Sequence, residues 1–519
     1  TLYTMSSSQQ HSNPAPTDSE SSQKPLSRVP SNSSTHQQCE NTKQCNFTPI
    51  DQIESIVQDL RTTVESEEYY PSTYDKRTEQ LNQLIAMFTD NKQRWYDAIQ
   101  QDLHQNRLLT HSEVDSSIQE AKYQLSHLRS NMHDCSVKTT NPIVEPSSAH
   151  LHPEPLGVVL IISPWNYPIS LLAKPLAGAL AAGNAVLLKP SEVSEACSAL
   201  FAEFVPKYFD EHYVRIISGG VDETQRVLEQ RFDYIFYTGS TPVGKIVMKA
   251  AAEHLTPLTL ELGGKSPCYV DKSVDFKTMI HRLTWGKWLN KGQTCVAPDY
   301  IMVHKDLTQR FIPAVKEQLK EFYGEDPKVC SDYSRIINQR HAQRIHSLLE
   351  DQQERIVHGG SMHLEDRYIE PTIVLNPPLD SRIMREEIFG PIMPVIEVED
   401  HNEAIRIINS REKPLALYAF SKSQKVLDAF SHRTSSGGVC FNDTIVHILT
   451  HELPFGGVGH SGHGRYNGKS TFDTFTHYKP VLSKSTWIDP SIRYPPYTDK
   501  KMKFIEATSS MKMPKCTIM

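Results

Sequence analysis

A chain of 519 residues has room for two or three domains, and at 38% hydrophobic and 22% charged its composition is globular. A net charge of −7 argues against nucleic-acid binding by the protein as a whole. Nine scattered cysteines, none in a Cys-x-x-Cys pair, offer neither a disulfide framework nor zinc spacing and point to a reducing compartment.

Residues 1–48 are rich in Ser, Gln, Asn, Thr and Pro, too polar to offset their ordering entropy, and read as disordered. Asn32-Ser33-Ser34 and Asn46-Phe47-Thr48 match glycosylation sequons, but no secretory signal accompanies them and chance occurrence is preferred. The first Met is Met5, which leaves the start of translation open. No apolar run is long enough to span a bilayer.

Ile50, Ile53, Val57, Leu60 and Val64 recur at helical spacing, and Leu81, Leu84, Ile85 and Phe88 begin a second apolar face. Cys135 to Pro155 changes to short β-prone pieces, consistent with an extended hairpin. From Gly157 onward, strand and helix alternate. Val158–Ile162 and Ala185–Leu188 are apolar strands, each followed by a helix, as are Val214–Ile217 and Tyr234–Tyr237. This alternation predicts a doubly wound parallel sheet of α/β class.

Candidate site residues sit where these strands end. Asn166, in Ser163-Pro164-Trp165-Asn166, is placed to donate to an oxyanion, although Asn in a Pro-flanked turn is also ordinary turn chemistry. Lys189 and Glu192 follow the second strand. They are candidates for ribose hydroxyls, or else solvated loop charges. An acidic Glu192 beside a ribose 2′-hydroxyl would favour NAD over NADP, with Lys189 acting in the opposite sense. Gly239, Ser240 and Gly244 lie between the fourth strand and a helix, where backbone N–H groups can hold a pyrophosphate, although a plain turn fits as well.

Glu261-Leu262-Gly263-Gly264-Lys265-Ser266-Pro267 and Gly292-Gln293-Thr294-Cys295 come next, both read as Gly-rich loops. A thiol and a carboxylate suit thioester chemistry: Cys295 attacks a carbonyl and Glu261 activates the water that cleaves the adduct. A lone Cys is otherwise a buried small hydrophobe. A second α/β stretch follows, with the strand Tyr300–Val303 and a helix from Leu307 to Tyr323. Glu387 and Phe389, in Glu386-Glu387-Ile388-Phe389-Gly390, are candidates for the nicotinamide side, and paired carboxylates are otherwise a surface feature. Phe455, Tyr167, Trp285 and Ile445 are candidate tunnel residues, and Thr471 to Tyr478 reads as a last strand.

Taken together, these motifs resemble the aldehyde dehydrogenase superfamily from about Ile50 to Tyr497. His254-Leu255-Thr256-Pro257, Glu321-Phe322-Tyr323-Gly324-Glu325-Asp326 and Arg493-Tyr494-Pro495-Pro496 are similar to the class 3 and fatty aldehyde branch, with fungal-type hexadecenal dehydrogenases the nearest description. The resemblance implies an α/β fold with a Rossmann-like cofactor domain (49–134 and 156–262), an α/β catalytic domain (263–440) and a small β bridging arm (135–155 and 468–485) that supports a homodimer. It implies oxidation of medium- or long-chain aldehydes, or alternatively aromatic or apocarotenoid aldehydes. Cys295 would be the nucleophile, Glu261 the base and Asn166 the oxyanion donor. Lys189, Glu192, Gly239, Ser240, Gly244, Glu387 and Phe389 would serve NAD, with NADP possible and no metal. In this branch Glu387 is a second candidate for the base. A CoA-acylating variant would not need Glu261. A nearby helix N-terminus or cofactor charge would help form the thiolate.

The tail, 486–519, has no membrane helix. It ends Pro514-Lys515-Cys516-Thr517-Ile518-Met519, a prenylation-like box on Cys516, behind Lys500, Lys501, Lys503, Lys512 and Lys515. A prenyl chain with a basic patch would place the protein peripherally on the cytoplasmic side of an intracellular membrane (endoplasmic reticulum, lipid droplet or outer mitochondrial membrane).

Overall fold

Aliphatic runs broken by Gly and Pro give short strands buried on both faces, and such strands need helices above and below. The computed structural model describes residues 47–68, 70–139, 144 and 147–509. The predicted disordered segment, apart from its last two residues, lies outside the described residues, as do Asn32, Asn46 and Cys516. Thr48, at the end of that segment, is tied down: its N–H donates to Ser218 O at 2.8 Å, and its Oγ1 accepts from Ser218 N at 3.1 Å.

Two sheets dominate the described residues. The first has the order Gly462–His463, Leu258–Glu261, Tyr234–Thr238, Val158–Ile162, Ala185–Lys189, Val214–Ile216. Its strands are parallel except Gly462–His463, which runs antiparallel to Leu258–Glu261. Alternate residues feed separate cores. Val159 and Ile161 face helices carrying Phe88, Trp95 and Phe201, whereas Val158 and Leu160 face Ile53, Val57 and Leu60. Helix propensity alone does not order the second segment. Burial of Trp95, packed 4.7 Å from the Phe201 ring, does.

The second sheet runs Ile356–His358, Thr372–Leu375, Ile392–Val398, Tyr300–His304, Pro267–Val270, Ala416–Phe420, Gly438–Phe441, parallel apart from the first edge strand. It too is covered on both faces. The expected α/β fold is therefore present.

A third sheet pairs Ser147–Pro155 with Cys135–Ser136 and, along nine residues, with Thr476–Lys484. Here the sequence reading needs correction. Thr471 to Thr474 belongs to the helix Lys469–Thr474, and the strand starts at Thr476. Thr471 Oγ1 accepts from Asn467 N at 2.8 Å and donates to Glu120 Oε1 at 3.0 Å. The local bond to Asn467 closes the start of the helix, the distant one to Glu120 anchors it, and together they override the β preference of Thr and Phe. Among the described residues no helix is long and apolar enough to cross a membrane.

Candidate active site

The loop that carries Cys295 is built by an unusual turn. The helix Phe276–Trp288 ends, and Asn290, Lys291 and Gly292 all take left-handed φ values of 47°, 56° and 75°. Non-glycine residues there cost about 1–2 kcal/mol each, so the surroundings must hold them. Asn290 Nδ2 donates to Asn166 O at 2.9 Å and Gln293 O at 3.3 Å. Lys291 is fully buried with its Nζ 4.4 Å from the ring centroids of both Tyr333 and Tyr368. Gly292 lies against the neighbouring chain: a Cβ would sit 2.3 Å from Gly390 O. Gly292→Ala is expected to cost about 2–4 kcal/mol of stability, read as a lowered urea midpoint, because it adds both strain and overlap. An unchanged midpoint would show that the turn has room.

The residues flanking Cys295 are pinned one by one. Gln293 is buried, donates Nε2 to Arg335 O at 2.9 Å and accepts from Ile337 N at 3.0 Å. Asn166 Nδ2 donates to Gln293 O at 3.0 Å, so the candidate oxyanion donor is already on the nucleophile loop. Thr294 Oγ1 meets Tyr167 OH at 2.7 Å, and Tyr418 OH donates to Val296 O at 2.6 Å. Cys295 remains partly exposed between them.

Two carboxyls act on this thiol. Glu261 is the last residue of the strand Leu258–Glu261, not part of a loop as expected. It is buried, neither oxygen has a hydrogen-bond partner, and burial pushes its carboxyl well above the usual range. Glu387 lies against the backbone of Gly263, where a Cβ would come within 2.2 Å of Oε2. Burial, then the Asp299 charge, raises Glu387 to about 8, against the opposing pull of the Gly264 N–H, Lys265 and Arg344. Burial first, then Glu387 and Glu261, pushes the Cys295 thiol up to about 12. Cys295 follows a helix and a tight turn and does not itself open a helix. The site can move a proton from thiol to carboxylate, and the backbone N–H groups of Cys295 and Val296 favour the thiolate against the effects of burial and the two carboxyls.

The Glu387 loop is clamped from below. Lys265 pairs with Asp299 and donates to Ile383 O at 2.8 Å and Glu386 O at 2.9 Å. Asp299 Oδ2 accepts from Ile388 N at 2.9 Å, and Arg344 Nη2 donates to Ile388 O at 2.6 Å.

A cavity of about 1000 Å³ opens at the ends of the first sheet's strands, and Lys189, Glu192, Gly239 and Ser240 line it. Lys189 is buried, donates to Pro190 O at 2.8 Å and lies 3.5 Å from Glu192 Oε2. Ser240 is the N-cap of the helix Thr241–Glu253 and presents that helix's first N–H groups. The volume, the helix N-terminus and the Lys189–Glu192 pair fit a dinucleotide.

Three expected cofactor residues are not among those that line this cavity. Gly244 lies one turn into the helix, where a Cβ would be 2.8 Å from Leu262 Cδ2, so it serves close packing. Glu387 lies against the Gly263 backbone, near enough for its charge to bear on the Cys295 thiol. Phe389 reaches the cavity only through Trp165, with ring centroids 5.4 Å apart.

Sequence reading missed Trp165, His341 and the Gly220–Thr224 turn, all of which border this cavity. Gly219-Gly220 follows the strand Val214–Ile216 as Gly239 follows Tyr234–Thr238, a parallel that could have found it. His341 arrives from the distant helix Gln339–Ser347 and carries no such signal.

Cys295 opens onto a second cavity, of about 300 Å³. Tyr167, Trp285, Ile445 and Phe455 line it, with Leu449, Ile448 and Val296. Also missed was a second wall from two helices, carrying Ser112, Ser116, Ser170 and Lys174. Among the described residues no group of three or more His, Cys, Asp or Glu could hold a metal.

Comparison with known proteins agrees with this arrangement. Residues 31–481 match the model of the aldehyde dehydrogenase family. The chain is 46% identical over 450 residues to the dimeric, NADP-preferring aldehyde dehydrogenase of Canis lupus familiaris, covering 86% of this chain and 98% of that protein. It is 47% identical over 455 residues to aldehyde dehydrogenase family 3 member A2 of Rattus norvegicus, covering 87% and 93%. Among solved structures, AldH of Staphylococcus aureus in a substrate-bound state matches with a TM-score of 0.85 at 40% identity, covering 88% and 99%. The glyceraldehyde-3-phosphate dehydrogenase GapN of Methanocaldococcus jannaschii, complexed with NADP, shares the fold at 22% identity and a TM-score of 0.76.

Proposed function

Because the chain belongs to the aldehyde dehydrogenase family, we propose that it oxidises medium- and long-chain fatty aldehydes to carboxylic acids with NAD or NADP. One observation carries the reading: Cys295 faces a mainly apolar cavity while two raised carboxyls, Glu261 and Glu387, act on its thiol. In this reading Cys295 gives up its proton and attacks the aldehyde carbon, forming a thiohemiacetal. Asn166 and the Cys295 backbone N–H hold the developing oxyanion. Lys189, Glu192, Gly239 and Ser240 would hold a nicotinamide dinucleotide, which would supply the hydride acceptor that turns the thiohemiacetal into a thioester. Glu261 then takes a proton from water, the hydroxide attacks the thioester, and Cys295 leaves.

At that dinucleotide site Gly244 would pack the helix and Phe389 would support Trp165. The Lys189–Glu192 pair supports use of either cofactor: the carboxylate suits a free ribose hydroxyl and the cation a phosphate. Similarity to the dimeric, NADP-preferring enzyme of the dog supports NADP use and a homodimer here, with the three-stranded arm as its contact.

The deciding experiment is NAD(P)H formation from hexadecanal, benzaldehyde and an apocarotenal. The highest kcat/KM with hexadecanal is expected. A higher value with an aromatic or carotenoid aldehyde would keep the chemistry and remove the lipid role, and no turnover at all would remove both.

The prenylation-like box and its preceding lysines support peripheral attachment to the cytoplasmic face of an intracellular membrane. Cys516→Ser is expected to move the protein to the soluble fraction, and unchanged fractionation would refute the anchor.

A further inference from the structure

The cavity beside Cys295 has two unlike walls. Trp285, Ile445, Leu449 and Phe455 make one of them apolar. The other forms where the helix Arg107–Asn131 packs on the helix Ser170–Ala182, and it carries Ser112, Ser116, Ser170 and Lys174. The two helices are locked in register, since Glu113 Oε1 accepts from Ile169 N at 2.7 Å and from Ser170 N at 3.4 Å. Lys174 makes no hydrogen bond and no ion pair among the described residues, and burial holds its ammonium below the usual lysine value against the pull of Glu120 and Glu113.

An amine on the wall of an apolar cavity keeps its hydrogen bonds only while water or a ligand oxygen supplies them. A plain alkyl chain filling the cavity expels that water and returns nothing. A chain carrying an oxygen returns the bond. The discrimination is asymmetric, because a buried polar group left unpaired costs more than an apolar contact gains.

We propose that Lys174, with Ser112, Ser116 and Ser170 beside it, is a subsite for a hydroxyl carried on the chain of the aldehyde, so that hydroxylated aldehydes are preferred over plain alkanals of the same length. This rests on the aldehyde-oxidising reading above and narrows its substrate class.

The test uses the full-length enzyme and pairs of equal-length aldehydes, one unsubstituted and the others hydroxylated at successive carbons. For at least one position the hydroxylated member is expected to exceed the plain alkanal in kcat/KM by about tenfold. Lys174→Met, of similar length and without the donor, is expected to bring that ratio to about one. Lys174→Arg is expected to retain most of it. A ratio near one in the wild-type enzyme at every position overturns the proposal and needs no variant. A ratio unmoved in Lys174→Met overturns it as well. Failure of the parent reading looks different, as no aldehyde of either kind would be turned over.

Discussion

Cys295→Ala is expected to lower aldehyde oxidation by about four orders of magnitude or more, since Cys295 is the only thiol among the described residues that line the small cavity and the Ser and Lys side chains there are far weaker nucleophiles at neutral pH. Dinucleotide binding should survive, because the large cavity is formed by other residues. The pair of measurements is NAD(P)H formation with hexadecanal and equilibrium binding of NADP to the same preparation. Loss of both would indicate misfolding, and residual turnover near the parent rate would remove Cys295 from the mechanism. The thiol's environment adds a pH signature. With its pKa pushed up to about 12 by burial and by Glu387 and Glu261, the free enzyme's thiolate fraction is small at pH 7. It rises about tenfold per unit towards that value. Iodoacetamide should therefore react slowly with Cys295 at neutral pH and progressively faster up to pH 10. A rate independent of pH over that range would contradict the environment described.

Glu261→Gln carries the second-largest expected effect. Both Glu261 oxygens lack partners, so nothing but a substrate or water can engage them, whereas the Glu387 carboxylate already accepts from Gly264 N–H. In the proposed mechanism Glu261 is therefore the water-activating base. Its loss should slow steady-state turnover by about 10²–10³-fold while leaving the first burst of NAD(P)H, because acylation precedes water attack. Glu387→Gln with the same outcome, and a fully active Glu261→Gln, would transfer the role. The pH dependence follows the same logic. Each carboxyl is raised by burial, so each must lose its proton at a higher pH than an exposed Glu, and activity should climb with pH. For Glu387 the climb is centred on about 8. The limb that disappears in one Gln variant identifies its owner.

Much of this was legible in the sequence because it is local. The apolar runs at Val158 and Ala185 specify buried strands, and the strand–Gly–helix order at Tyr234 to Gly244 places a helix N-terminus at a strand end. The Gly292-Gln293-Thr294-Cys295 run needs a glycine with positive φ and a bracketing amide, and both are used. Long-range placement was not legible. Glu387 reads as a nicotinamide-side or base candidate with a surface pair as the alternative, and its burial on the Lys265–Asp299 clamp, assembled from separate loops, is what the local run does not show. Lys174 reads as one polar residue in an apolar helix. Its exposure to a cavity depends on a neighbouring helix much earlier in the chain.

The short strand Gly462–His463 has a consequence for how this protein is made. It pairs with Leu260 and Glu261, and Leu262 N donates to Ser461 O at 3.1 Å, so the strand bearing the base is an open edge until the C-terminal part of the chain is present. Chains emerge from the ribosome N-terminus first. Cys295 is therefore synthesised well before the edge that fixes Glu261 is closed. A nascent or prematurely terminated chain would hold its nucleophile without a seated base, and its exposed edge strand would invite pairing with another chain. Completion of translation thus acts as the step that both licenses turnover and protects against aggregation.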